Sequence, residues 1–181
     1  MKGQRQIIVV GALSAFMGMG VAVLVSGAAA GPSERQITIF NKGDTLTIAG
    51  APESEDLEIR GRQKRCCMRI RATTSFAQFS DDCEQRSDHV ACDVRKVDHV
   101  VADMDGGTDQ VFVEDEFNVL TIRGSTGEDL IIGNKGPETI QGGSENDLLD
   151  GRGGRDRLNG GDGTDACADR PGDHLRNCEE N

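Results

Sequence analysis

The chain contains no Trp and no Tyr, and six Phe are the only aromatic residues among its 181. Large aromatic side chains normally supply much of a buried core, so a thick globular core is not expected. Basic residues are also scarce, with 20 Lys and Arg against 31 Asp and Glu and a net charge of −11. Phosphate binding needs a basic surplus, so nucleic acid is an unfavourable partner and cations are the natural counterpart.

Two common catalytic signatures are missing. The sequence has neither the H-E-x-x-H pattern of zinc peptidases nor the G-x-S-x-G pattern of serine hydrolases. Residues 31–103 are short for a separate catalytic domain. Carboxylate pairs are abundant, but they are expected wherever acids are this dense, so a secreted glycosidase-like hydrolase is only a minor alternative. We predict that the protein is not an enzyme.

The N-terminus has the pattern of an export signal. Lys2 and Arg5 precede an uncharged, largely apolar stretch that ends in Ala28-Ala29-Ala30. This pattern predicts a signal peptide over residues 1–30, and an uncleaved membrane anchor is the alternative. Cleavage would remove two basic residues and no acid, which lowers the net charge from −11 to −13. We expect a protein that is secreted, or held at the cell surface, with no membrane span after cleavage.

Six cysteines follow, and in an oxidising compartment they favour disulfides. Six cysteines allow 15 pairings, and proximity in sequence favours Cys83–Cys92 and Cys167–Cys178. The pairing of the adjacent Cys66 and Cys67 stays open. A zinc–thiolate site is the weaker alternative because no Cys-x-x-Cys occurs.

Residues 31–103 are predicted to be a region of short β-strands. Alternating apolar residues occur at 37–39, 46–48 and 57–59, and a turn signal occurs at 41–44. A basic run from Arg60 to Arg71 could bind an anionic cell-wall polymer, which makes an adhesin an alternative function. We favour a solvated strand face, because no aromatic residue is interleaved for stacking. The run consists of Arg60, Arg62, Lys64, Arg65, Arg69 and Arg71.

The clearest pattern is a nine-residue repeat that begins at Gly124. Five blocks follow without a gap: GSTGEDLII, GNKGPETIQ, GGSENDLLD, GRGGRDRLN and GGDGTDACA. The first position is always Gly, the fourth is Gly except at Glu145, the sixth is always acidic and the eighth is always apolar or Cys. The sixth-position acids are Asp129, Glu138, Asp147, Asp156 and Asp165.

Each column of the repeat has a physical reason. Gly permits positive φ and close approach of the backbone to an ion, so it allows a tight loop. The acid places a charged oxygen beside the carbonyls of that loop, and hard divalent cations prefer such mixed oxygen ligands. One apolar residue per block cannot bury itself alone, so successive blocks must stack into a narrow core.

The blocks resemble the RTX, or haemolysin-type, calcium-binding nonapeptide G-G-x-G-x-D-x-U-x. The resemblance implies an all-β fold whose C-terminal half is a right-handed parallel β-roll solenoid, preceded by short irregular strands. It also implies that Ca²⁺ lies between stacked turns, with Asp129, Asp147 and Asp165 on one side and Glu138 and Asp156 on the other. The glycines implied at these sites are Gly124, Gly127, Gly142, Gly160 and Gly163.

The repeat region is expected to extend over residues 104–181. An imperfect copy, Gly107 to Val111, precedes the blocks, and a Cys167–Cys178 bond would close the open end as a cap. We therefore expect a secreted calcium-binding repeat protein with a structural or surface role, whose folding Ca²⁺ stabilises.

Overall fold

The computed structural model of the protein describes residues 36–61, 67–114, 117 and 119–179. The predicted signal peptide, Cys66 and the central part of the basic run lie outside these residues. Residues Glu34–Asn181 form one compact unit. The regular secondary structure of the described part is entirely β, and these residues include no helix able to span a membrane.

Sixteen strands make up the described part of the chain. They are β1 (Gln36–Lys42), β2 (Thr45–Ala49), β3 (Asp56–Arg60), β4 (Cys67–Ala72), β5 (Ser75–Phe79), β6 (Cys83–Gln85), β7 (Val90–Asp93), β8 (His99–Asp103), β9 (Gln110–Glu114), β10 (Leu120–Thr126), β11 (Leu130–Ile132), β12 (Glu138–Ser144), β13 (Leu148–Asp150), β14 (Arg157–Asp162), β15 (Ala166–Cys167) and β16 (His174–Arg176).

The strands form two eight-stranded sheets, and from β8 onward successive strands alternate between them. The first sheet has the order β16-β14-β12-β10-β8-β2-β1-β5, and the second has the order β15-β13-β11-β9-β3-β4-β7-β6. We use the term rung for a strand of the first sheet together with the strand of the second sheet that follows it in the sequence. Rungs 1 to 5 are β2–β3, β8–β9, β10–β11, β12–β13 and β14–β15, and β16 follows rung 5.

Neighbouring rungs pair in parallel, and the spacing in the repeat region follows the repeat. Ile140 pairs with Leu158 and Ile131 with Leu149, so each partner lies two blocks further along the chain and one rung contains two blocks. Between rungs 2 and 3, where Val100 pairs with Leu120, the spacing is slightly longer than two blocks. Between rungs 1 and 2 it is much longer, because strands β4 to β7 are inserted there.

The inserted and N-terminal strands close one end of the two sheets. β1 forms an antiparallel hairpin with β2, through a turn in which Gly43 has a φ of 69°. In the second sheet β3, β4, β7 and β6 pair antiparallel in that order. The strands predicted at 37–39, 46–48 and 57–59 lie within β1, β2 and β3.

The predicted boundary after residue 103 falls at the end of β8, a strand that pairs with strands of both the N-terminal region and the repeat region. β8 pairs in parallel with β2 on one side and with β10 on the other, so the stacking of the repeat region continues upstream into rung 1. The core narrows along this stack. Rungs 1 and 2 bury two apolar side chains per strand, whereas rungs 4 and 5 rely on single residues such as Ile140, Leu149 and Leu158.

Candidate metal centre

A column of acids runs along the turns that lead from the first sheet to the second. We call it the first column. The backbone N–H groups of Asp109, Asp129 and Asp147 each donate to the Oδ1 of the acid one rung further on, at 2.9 Å. The structure therefore brings together the predicted residues Asp129, Asp147 and Asp165, all 3% exposed or less.

The first column extends beyond the predicted residues at both ends. The N–H of Glu55 donates to Asp109 Oδ1 at 2.8 Å, which adds rung 1 to the column. At the other end the N–H of Asp165 donates to Glu179 Oε2. Glu179 also forms a parallel bridge with Ala166, so the C-terminal tail takes the place of a further rung.

A second column lies on the opposite side, along the turns that lead from the second sheet to the first. It consists of Glu138, Asp156 and Asp173, and the first two N–H groups donate to the next acid at 2.9 Å. Glu138 pairs in register with Leu120 of the preceding rung. The second column thus begins where an acid replaces an apolar core residue.

One oxygen of each of these carboxylates, except that of the exposed Glu179, is buried without a hydrogen-bond partner. In the first column these atoms are Glu55 Oε2 and the Oδ2 atoms of Asp109, Asp129, Asp147 and Asp165. In the second column they are Glu138 Oε1 and the Oδ2 atoms of Asp156 and Asp173. A buried polar atom without a partner costs about 1–3 kcal/mol, and more when it is charged, so native proteins keep few of them. Eight such atoms lie in two columns, where a bound cation would give each of them a partner.

The first glycine of each block makes room for these oxygens. A Cβ on Gly124 would collide with Asp129 Oδ2 and lie 2.6 Å from the carbonyl oxygen of Gly142. A Cβ on Gly142 would likewise collide with Asp147 Oδ2 and lie 2.7 Å from the carbonyl oxygen of Gly160. A free carboxylate oxygen and a carbonyl of the next rung therefore converge beside each glycine. Ca²⁺ prefers this mixture of oxygen donors.

The fourth-position glycines allow adjacent turns to stack. Gly127 and Gly163 have φ values of 121° and 150°, where an L side chain would be strained. A Cβ on either would also collide with a carbonyl oxygen of the preceding rung, that of Gly107 or of Glu145. These two glycines therefore shape the turn, whereas the first-position glycines border the carboxylate oxygens.

The second column repeats the arrangement of the first. A Cβ on Gly133 would lie 2.8 Å from Glu138 Oε2 and 3.2 Å from the carbonyl oxygen of Gly151. A Cβ on Gly151 would collide with Asp156 Oδ2. The predicted residue Asp156 thus lies in the same relation to glycine as the aspartates of the first column, whereas the Glu138 oxygen beside Gly133 is the one that accepts the Asn134 N–H.

Burial shifts the protonation of both columns. It raises the pKa of Asp129 to about 6, of Asp147 to about 7 and of Glu138 to about 8. Neighbouring carboxylates raise these pKa values further, and the backbone N–H bonds lower them in part. A cation beside the unpartnered oxygens would supply the missing countercharge and favour the ionised form.

The donor set is mostly backbone. In the described part of the chain no three His, Cys, Asp or Glu side chains converge on one point. Each turn contributes one carboxylate, so any cation there takes its other ligands from carbonyl oxygens. Such sites suit a hard, oxygen-binding ion such as Ca²⁺ rather than Zn²⁺, which prefers Cys and His.

Two of the three arginines of the basic run that the structure describes, Arg60 and Arg71, have acidic partners. Arg60 forms ion pairs with Glu58 and, at 3.2 Å, with Glu114. Arg71 approaches Glu58 at 3.5 Å and Asp88 at 2.6 Å. These pairs lie on the solvent side of the second sheet, where they contribute little to stability but neutralise the arginines.

Both cysteine pairs favoured by sequence proximity lie at disulfide distance. Cys83–Cys92 joins β6 to β7, and Cys167–Cys178 ties the C-terminal tail to β15. The second disulfide therefore holds the segment that contains Glu179 against the last rung.

Comparison with known proteins agrees with this geometry. The family model of the RTX calcium-binding nonapeptide repeat matches residues 121–136 and 132–166, with four copies. No curated protein and no solved structure matches the chain. The resemblance seen in the sequence is confirmed for this stretch: residues 121–166 carry RTX calcium-binding repeats, whose ion is Ca²⁺.

Sequence reasoning missed several members of the two columns. Glu55, Asp173 and Glu179 were not predicted as site residues, and Asp109 was noted only within an imperfect copy of the repeat. A usable signal exists for Glu55, because Gly50 precedes it by the same five residues that separate Gly124 from Asp129. Asp173 and Glu179 lie beyond the last full block, where the nine-residue spacing is lost.

Proposed function

We propose that this is a secreted calcium-binding repeat protein whose rungs form a right-handed parallel β-roll completed by Ca²⁺ between successive glycine turns. The observation that carries the proposal is the unpartnered carboxylate oxygen of Asp129 and of Asp147, each of which lies beside a carbonyl oxygen of the next rung. The repeats matched over residues 121–166 identify the ion.

The residues that would hold the ions belong to two rungs at a time. In the first column Asp129 and Asp147 supply carboxylate oxygens, and Gly142 and Gly160 supply the facing carbonyls. Asp165 faces the carbonyl of Asn177 in the C-terminal tail. In the second column, Glu138 and Asp156 would supply the carboxylate oxygens. Because each site spans two rungs, ion binding stabilises their stacking and offsets the repulsion within a column.

A structural role outside the cell fits this chemistry better than catalysis. Extracellular calcium modules typically bind with dissociation constants of about 10⁻⁴ to 10⁻³ M, so such sites would fill outside the cell and stay empty in the cytosol. The export pattern of residues 1–30 and the two disulfides support secretion. The adhesin alternative has less support, because Arg60 and Arg71 already have acidic partners.

The test is a comparison of folding with and without calcium. Circular dichroism is the suitable probe, because the chain has no Trp or Tyr for fluorescence. We expect the β signal and the melting temperature of the purified protein to rise with millimolar Ca²⁺ and to fall on addition of a chelator. Mg²⁺ at the same concentration is the control, since it demands smaller, near-octahedral sites. Equal β content and equal melting in chelator and in Ca²⁺ would refute the proposal.

A further inference from the structure

A turn outside the matched repeats has the features of a cation site. The turn between β2 and β3 contains Gly50 and Glu55, far upstream of residue 121 where the family match begins. The Glu55 side chain is only 1% exposed. Its Oε1 accepts the N–H of Ala51 at 2.9 Å, and its Oε2 is buried without a partner.

The surroundings of Gly50 match those of the repeat glycines. A Cβ on Gly50 would lie 2.6 Å from Glu55 Oε2 and 2.7 Å from the carbonyl oxygen of Met104. Strand register explains the match: Ala49 pairs with Asp103, so Gly50 and Met104 occupy equivalent places in rungs 1 and 2. At Gly50, as at the repeat glycines Gly124 and Gly142, a carboxylate oxygen of the residue five positions downstream and a carbonyl oxygen of the next rung lie beside a Cα without a side chain.

Glu55 also resembles Glu138, the repeat-region acid with the same side chain. Each accepts a hydrogen bond from the residue that follows its glycine, Ala51 N–H for Glu55 and Asn134 N–H for Glu138. In each case the other carboxylate oxygen has no partner. The two sites differ in the oxygen that lies beside the glycine: at Gly50 it is the unpartnered Oε2 of Glu55, whereas at Gly133 it is the Oε2 of Glu138 that accepts the Asn134 N–H.

Further oxygen atoms lie next to this turn. Asp109 Oδ2 is buried without a partner, and Asp109 is bound to the N–H of Glu55 through its other oxygen. Thr74 Oγ1 also lies beside the Glu55 carboxylate and is buried. Met104 stands where rungs 3 to 5 have glycine, so rung 2 lacks the open space that rung 1 retains.

We propose that Gly50, Glu55 and the carbonyl oxygen of Met104 form an additional Ca²⁺ site between rungs 1 and 2, outside the RTX repeats. The inference rests on the proposed function, since it uses the same ion and the same donor pair. Thr74 belongs to the connection between β4 and β5, so an ion there would also tie the inserted strands to the stack. Calcium would then order the N-terminal end of the molecule as well as the repeats.

The test compares Glu55→Gln with the matched control Asp56→Asn. Both remove one negative charge, but the Asp56 side chain is exposed, so its charge is solvated. Calcium titration by calorimetry should show one bound Ca²⁺ fewer in Glu55→Gln and an unchanged number in Asp56→Asn. Gly50→Ala is the second variant: its Cβ would fill the space beside Oε2, so it should lose the same ion while Glu55 is retained.

A stability measurement separates a ligand from a merely structural residue. In chelator Glu55→Gln should unfold at the same or a higher denaturant concentration than the wild type, because a buried unpaired charge is removed. In saturating Ca²⁺ it should unfold at a lower concentration. Unchanged calcium stoichiometry in both Glu55→Gln and Gly50→Ala would overturn the inference. Asp147→Asn losing an ion in the same titration would leave the proposed function intact, whereas no calcium binding by the wild type would overturn both.

Discussion

The substitution Asp147→Asn should stabilise the protein in chelator but give no net stabilisation, or a net destabilisation, in calcium. In the wild type, Asp147 Oδ1 accepts a hydrogen bond from the N–H of Asp129 at 2.9 Å. The side-chain oxygen of Asn would keep this hydrogen bond. The substitution replaces the unpartnered Oδ2 by an amide NH₂ near the carbonyl oxygen of Gly160. In chelator the variant should therefore gain about 1–3 kcal/mol, the cost of a buried oxygen without a partner.

In calcium the same substitution removes a ligand. At a Ca²⁺ concentration about 100 times the dissociation constant, one site contributes about 2.7 kcal/mol to the folded state. The loss of that site should exceed or cancel the gain from removing the unpaired charge. Urea unfolding followed by circular dichroism at pH 8 gives the free energy of unfolding in chelator and in calcium.

The matched control is Asp81→Asn, which removes an exposed charge in the turn between β5 and β6. It should change the free energy of unfolding by less than about 0.5 kcal/mol in either condition. If Asp147→Asn destabilised the protein equally in chelator and in calcium, the carboxylate would have a structural role and the reasoning would fail.

Three further predictions concern protons, glycine and the cap. The pKa values are raised to about 6 for Asp129, about 7 for Asp147 and about 8 for Glu138, so the folded state binds protons more tightly than the unfolded state. In chelator, the contribution of this protonation to the free energy of unfolding is complete below about pH 4 and is lost as the pH rises through about 6 to 8. Thermal melts in chelator should therefore give a higher melting temperature at pH 5 than at pH 8, and the reverse order would contradict the burial of these groups. Gly142→Ala should abolish calcium-linked stabilisation because its Cβ would collide with Asp147 Oδ2, whereas Gly153→Ala, with its nearest atom 3.9 Å away, should not; equal calcium-dependent melting shifts would count against the glycine argument. Replacing both Cys167 and Cys178 by Ser should lower the free energy of unfolding by about 2–4 kcal/mol, and an unchanged urea midpoint would show that the tail needs no covalent tie.

The site was more predictable from the sequence than the complete fold. The two acidic columns follow from the nine-residue spacing, because two blocks make one rung and alternate acids then fall on the same side. The resemblance to the RTX repeat implied that Asp129, Asp147 and Asp165 share one side, and in the structure hydrogen bonds link these three residues. The short strands around residues 38, 47 and 58 were also found, since their apolar residues alternate clearly.

The upstream extension of the stack could not be seen in the same way. Strands β4 to β7 lie between rungs 1 and 2 in the sequence, so no fixed spacing connects Glu55 with Asp109. Rung 2 has Met104 where the repeat requires glycine, and the Met104 side chain is fully buried. Pairing between distant strands, rather than any local pattern, decides these positions.

Calorimetric titration of the chelator-treated protein with Ca²⁺ tests the central claim most directly, namely that the unpartnered carboxylate oxygens are ion ligands. The account predicts saturable heat with several ions bound per chain, and a smaller number of ions for Asp147→Asn. No heat of binding, together with an unchanged circular dichroism spectrum, would contradict it.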